Sequence, residues 1–135
     1  MNLNDSLNQM SKDLLDFFFP RHCPFCGRVS EKALLCEQCA RTLPRCAEVR
    51  TGPFGECAAP LYYEDAVRDA LLAFKFRGKV ENLNCFGALM AETAASAFAD
   101  RFDAVTWTPV SRKRLKKRGF DQSRMLCASL CVDWH

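Results

Sequence analysis

Four cysteines carry the first chemical signal in the chain. Cys23-Pro-Phe-Cys26 and Cys36-Glu-Gln-Cys39 are two Cys-x-x-Cys pairs separated by nine residues. Each such pair folds as a tight knuckle in which two thiolates converge on one ion and nearby backbone N–H groups support the sulfurs. Gly27 follows the first pair, at a place where a positive φ is cheap only for glycine. Four thiolates about 2.3 Å from a tetrahedral ion make a closed structural Zn²⁺ site with no position open to a substrate. The expected metal ligands are therefore Cys23, Cys26, Cys36 and Cys39. Disulfides and free core thiols are the alternatives.

The second signal is charge. Arg112, Lys113, Arg114, Lys116, Lys117 and Arg118 supply six of the 19 basic residues, and the remaining 13 face 16 acidic ones. The formal net charge of +3 thus conceals one basic patch on an otherwise acidic chain. An anionic partner belongs at that patch. In open α/β sheets, ligands bind beyond the carboxyl ends of strands, which is the expected position of residues 110–122. The segment offers cationic side chains (Arg112, Arg114, Lys117 and Arg118 among them), a glycine amide and the start of a helix. Together these suit a phosphate cradle. A solvated charged loop is the plain alternative, and such loops also bind nucleic-acid backbones without sequence preference.

The elements that position these groups follow from periodicity. Residues 3–19 read as an amphipathic helix, with Leu3, Leu7, Met10, Leu14 and Phe17 or Phe18 at three- and four-residue spacing and Pro20 ending the run. With Lys12 as its one basic residue, it suits packing on the protein better than a membrane surface. The metal module occupies residues 21–44. A loop rich in Gly, Pro and Thr over 45–60 holds Cys46 and Cys57, which are too few for a second tetrahedral site and read as structural or free thiols. Leu61-Tyr62-Tyr63 suggests a short strand. A helix with Val67, Ala70, Leu71 and Phe74 on one face should close at Gly78. A second helix over about 83–99 should bury Phe86, Leu89, Met90, Ala94, Ala97 and Phe98, with Cys85 as an ordinary small core residue. The β-rich segment 103–110 reads as a parallel strand covered on both faces, with Pro109 at its end. A last helix from Arg124 to about Cys131 shows Met125, Leu126, Leu130 and Trp134 with little left to pack on. The helix–strand–loop–helix order is α/β, in three parts: an N-terminal helix (1–20), a metal ribbon with its linker (21–60) and an incomplete α/β domain (61–135).

Nine cysteines are an odd number, and nothing near the N-terminus resembles an export signal or a membrane span. A cytoplasmic, reducing setting is expected, where paired cysteines bind metal more often than each other.

Three motifs in order resemble the ComF family of competence proteins. Leu14-Leu-Asp-Phe-Phe-Phe-Pro-Arg-His-Cys-Pro-Phe-Cys-Gly27 is similar to the family's start, and Phe74-Lys-Phe-Arg-Gly78 resembles its "KFxG" segment. Trp107-Thr-Pro-Val-Ser-Arg-Lys-Arg-Leu-Lys-Lys-Arg-Gly-Phe-Asp-Gln122 resembles its "PVP…R…RGFNQ" signature, with Ser111 where Pro or Leu is common and Asp121 in place of the usual Asn. The resemblance implies a zinc ribbon followed by a type I phosphoribosyltransferase-like domain, with a role in handling imported DNA alongside DNA-uptake proteins. Single-stranded DNA is the partner it suggests. It also places Arg118, Gly119 and Gln122 near a pyrophosphate-binding loop. Family members continue to an Asp-Asp-x-x-Thr-Thr-Gly stretch that grips phosphoribosyl pyrophosphate, and no Asp-Asp, Thr-Thr or Thr-Thr-Gly occurs in these 135 residues. The chain therefore reads as the N-terminal half of such a protein. Phosphoribosyl pyrophosphate belongs to the intact family domain only, and no residue here is assigned a catalytic role.

Overall fold

The computed structural model describes Phe18 and residues 20–30, 33–99 and 101–133. Apart from Phe18, the expected helix over residues 3–19 lies outside the described residues, as does Trp134. After the first cysteine knuckle the chain runs through helix α1 (Glu37–Thr42), strands β1 (Val49–Gly52) and β2 (Gly55–Ala58), and helix α2 (Asp65–Phe76). A 3₁₀ turn (Val80–Asn82) leads straight into helix α3 (Leu83–Phe98), and helices α4 (Arg112–Arg118) and α5 (Gln122–Asp133) follow. β1 and β2 form an antiparallel hairpin with Gly52 opposite Gly55. The architecture is mixed helix and strand, with the helices supplying most of the core.

The two long helices form for local reasons. In α2, Val67, Ala70 and Phe74 are buried at the three- and four-residue spacing of a helical face. Its end is set by Gly78, whose φ of +69° belongs to the left-handed region. Lys79 N–H then reaches back to the Ala73 carbonyl at 3.3 Å. α3 buries Cys85, Phe86, Gly87, Leu89 and Ala91. At its C-terminus the Arg101 guanidinium donates to the Ala97 and Phe98 carbonyls at 2.7 and 3.2 Å. A cation there satisfies orphan carbonyls and suits the helix dipole.

Four expectations are corrected. The segment 45–60, expected as a loop, holds the β1–β2 hairpin, whose strands pair from Val49–Ala58 to Gly52–Gly55. Residues 61–63 do not form a strand: Leu61 makes one isolated bridge to Arg45. The segment 103–110 is not a covered parallel strand, since none of it is assigned to a strand and residues 103–109 are exposed. Among the described residues the one sheet is the hairpin, so nothing supplies the amide ladder that a parallel strand requires. Composition signals a local β preference; it does not supply a neighbour. The last helix, finally, is well packed. α5 starts at Gln122 and lies along α3, burying Leu130 to 7% and placing Leu126 against the Ala70–Phe74–Phe86 cluster.

The α3–α5 contact is close because Gly87 has no side chain. A Cβ there would fall 2.7 Å from the Ser129 Cβ and closer still to its Oγ. Gly87→Ala is expected to lower stability by about 1–3 kcal/mol through overpacking. Adding Ser129→Gly should recover part of that loss, because it removes both clashing atoms. Thermal unfolding of the two single variants and the double variant checks this, and additive losses would refute the close contact.

Candidate metal centre and basic helix

The first knuckle is built by backbone hydrogen bonds. Cys23 N–H donates to the Arg28 carbonyl at 2.8 Å, Gly27 N–H to the Cys23 carbonyl at 2.9 Å, and Ser30 N–H to the Arg21 carbonyl at 2.8 Å. Gly27 turns the chain at φ +72°, as the residue type requires. The second knuckle is the start of α1. Cys36 is its N-cap, and its Sγ accepts from Cys39 N–H at 3.4 Å. The knuckles are joined at the surface by Arg28 Nη1, which donates to Gln38 Oε1.

All four sulfurs, from Cys23, Cys26, Cys36 and Cys39, lie within 4.8 Å of one another, and Cys26 Sγ and Cys36 Sγ are 3.5 Å apart. Ligands 2.3 Å from a tetrahedral centre stand about 3.8 Å apart, which falls inside that range. The donor set therefore fits one tetrahedral thiophilic ion. Cys23 and Cys39 are buried, Cys36 is half-buried and Cys26 is exposed.

The electrostatics favour a cation. Burial opposes a charged Cys23, but the backbone amides of Cys36, Phe25 and Cys26 aimed at its sulfur outweigh it and bring this thiol down to about 7. Burial pushes the Cys39 thiol strongly up, and the neighbouring sulfurs of Cys36, Cys26 and Cys23 add to the shift. At Cys26 the Arg28 amide favours the thiolate, yet desolvation and the adjacent Cys36 sulfur leave the thiol raised. One sulfur is thus prepared to carry charge, and its neighbours resist sharing it. A divalent cation removes that conflict by neutralising thiolates that would otherwise repel one another. Elsewhere, burial raises the Cys85 thiol to about 12, consistent with a core role.

The basic segment is a helix. Arg, Lys and Leu are good helix formers, Ser111 Oγ caps the start by accepting from Arg114 N–H at 3.4 Å, and Gly119 closes the end at φ +83°. No residue of α4 is buried, and no ion pair among the described residues involves it. Arg112, Arg114 and Lys117 are exposed. Gly119 N–H donates to the Leu115 carbonyl at 2.8 Å, so this amide closes the helix. Gln122 is buried at 3% exposure, with Oε1 accepting from Arg118 Nη1 at 3.0 Å and Nε2 donating to the Lys75 carbonyl at 3.3 Å. Arg118 Cζ lies 4.7 Å over the Phe76 ring. The site therefore includes Phe76, which sequence reasoning did not single out. Its clue was there: the Phe74–Gly78 and Arg118–Gln122 strings are each rich in aromatic and cationic residues, and here they pack together.

Purified protein is expected to hold about one zinc per chain, and Cys23→Ser or Cys39→Ser should abolish it. Metal analysis decides the point. Stoichiometric zinc in either variant would reject this ligand set and return Cys46 and Cys57 to consideration.

Comparison with known proteins agrees with the ribbon. The double zinc ribbon domain family matches residues 14–69. That span includes the β1–β2 hairpin, but among the described residues the four-thiol cluster is confined to the first ribbon. Competence protein ComFC of Bacillus subtilis (strain 168) is 30% identical over 112 residues, covering 82% of this chain. The chain spans 45%, under half, of that relative's length. No solved structure matches. Among the described residues, no helix is long and apolar enough to cross a membrane. The paired knuckles, the ribbon match and the relative converge on one reading: the chain is a ComF-like family member.

Proposed function

We propose that this chain is a DNA-handling module in which the four cysteines hold one structural Zn²⁺ and α4 contacts the phosphate backbone of single-stranded DNA. When bound, zinc supplies a fixed tetrahedral cross-link between the two knuckles and no reaction chemistry. The relative's name, a competence protein, points to DNA uptake as the process, with other uptake proteins as partners for the ribbon face. One observation carries the DNA reading: α4 sets six cations on an exposed helix, with no carboxylate paired to any of them among the described residues. An exposed Trp107, with the Arg124 guanidinium 5.9 Å over its ring, lies on the segment leading into that helix. A basic surface with adjacent aromatics suits a single strand, whose unpaired bases can stack.

A pyrophosphate pocket is the competing use of the same segment, and it would rely on Arg118, Gly119 and Gln122. The Gly119 amide and both polar atoms of Gln122 are engaged within the protein, which favours backbone contact by α4 over a cradle at its end. Any binding of phosphoribosyl compounds by this chain should then be millimolar or weaker, about −4 kcal/mol.

Titration of a single-stranded oligonucleotide at increasing salt tests the proposal. Affinity should fall steeply with salt, each phosphate contact contributing about 0.7 to the log–log slope. Lys116→Ala with Lys117→Ala should reduce that slope by about 1.4 and leave base preference unchanged. Absence of binding at low salt would eliminate the DNA reading. A small polyphosphate that binds and competes, with no loss on the lysine changes, would favour the pocket.

A further inference from the structure

The cations of α4 are not equivalent. Arg112, Lys113, Arg114, Lys116 and Lys117 are exposed, and long side chains in water sample many rotamers. Arg118 is held on two sides. Its guanidinium lies 4.7 Å over the Phe76 ring, and its Nη1 donates to Gln122 Oε1 at 3.0 Å. Gln122 in turn is fixed by its own burial and by the 3.3 Å bond from Nε2 to the Lys75 carbonyl. An arginine has five N–H donors in a planar fork, and among the described residues this one spends a single N–H, on Gln122. The ring contact and the amide bond together restrict where the guanidinium can sit.

We propose that Gln122 and Phe76 are positioning residues that lock Arg118 as a preorganised fork for one phosphodiester group, the single fixed contact in an otherwise diffuse basic surface. This rests on the reading of α4 as a DNA-backbone contact and deepens it. A preformed fork loses little rotamer entropy when it binds two phosphate oxygens, so one geometrically defined phosphate is held there. The other five cations contribute mainly through counterion release. Gln122 acts through Arg118 and does not itself touch the strand, because it is buried and both ends of its amide bond within the protein.

Oligonucleotide titrations on the full chain, metal-loaded, test this. Arg118→Lys keeps the charge and removes the fork, and it is expected to weaken binding about tenfold, as loss of a bidentate charge-assisted pair would. Arg112→Lys, the same change at a solvated position, should be within about twofold of the parent. Gln122→Met removes both amide bonds without altering charge. It should weaken binding about as much as Arg118→Lys while the salt slope stays that of the parent, and it should add little in the Arg118→Lys background. Merely structural damage would cost affinity equally in both backgrounds. If Gln122→Met does not fold, Phe76→Leu replaces it in the same cycle. A parent that fails to bind at low salt overturns both readings. A parent that binds while Arg118→Lys and Arg112→Lys remain indistinguishable overturns this inference alone.

Discussion

A run of edge-to-face phenylalanines joins parts of this molecule that are distant in sequence. Phe74 of α2 is fully buried, and its ring meets Phe86 of α3 at 5.5 Å between centroids and Phe120, just after α4, at 5.9 Å. Phe86 in turn meets Phe25, inside the first cysteine knuckle, at 6.0 Å. All three contacts are steep, with interplanar angles of 64–78°, the arrangement in which a positive ring edge faces a negative ring face. Each such pair is worth about 0.5–1.5 kcal/mol beyond its buried area. The larger consequence is connectivity, since a ribbon residue, two helices and the end of the basic helix share one contiguous set of rings.

The ribbon needs that connection because it has little core of its own. Its buried residues, Cys23, Cys39 and Leu43, join Val67 of α2 in one cluster, with Phe25, Leu61 and Leu71 packed around them. Two of those buried groups are thiols that the metal would use. A ribbon this small would draw most of its local stability from a bound ion, while its orientation on the rest of the chain comes from Phe25 and Val67. Holding the sulfurs together and seating the ribbon are therefore separate tasks, given to different residues. They meet at the Phe25 amide, which supports the Cys23 thiolate while its side chain packs on Phe86.

What was legible in the sequence was local. The Cys-x-x-Cys spacing announced the knuckles, and the run Val67, Ala70, Leu71, Phe74 with Gly78 announced α2 and its end, because helical periodicity and a positive-φ glycine are encoded within a few residues. Partnership across the chain was not legible. Nothing within residues 103–110 says whether a neighbour exists to accept their hydrogen bonds. The stacking of Arg118 on Phe76 joins two motifs that lie far apart in the sequence. Charge alone reads the basic run as a loop, although Ser111 and Gly119 bracket it with ordinary capping residues and its members favour helix. The sequence offers Leu130 little to pack on, whereas Gly87 leaves room for α5 to come close to α3.

That last helix turn before Gly119 also explains why the basic segment can exist in the absence of an anion. Seven residues are too few for a helix to persist unaided in water, and within α4 Arg112–Lys116, Lys113–Lys117 and Arg114–Arg118 set like charges one turn apart, at about 0.2–0.5 kcal/mol against the helix for each pair. The dipole offsets part of this, since Lys116, Lys117 and Arg118 occupy the last turn, where cations are favoured. The rest must come from the ends: the Ser111 cap at one, and at the other the Gly119 closure with Arg118 stacked on Phe76 and bonded to Gln122. The helix is thus anchored more firmly at its C-terminal end than along its length, and its middle retains unrelieved repulsion. A polyanion laid along α4 would remove that repulsion while adding its own attraction, so the same charges that weaken the free helix strengthen the bound one.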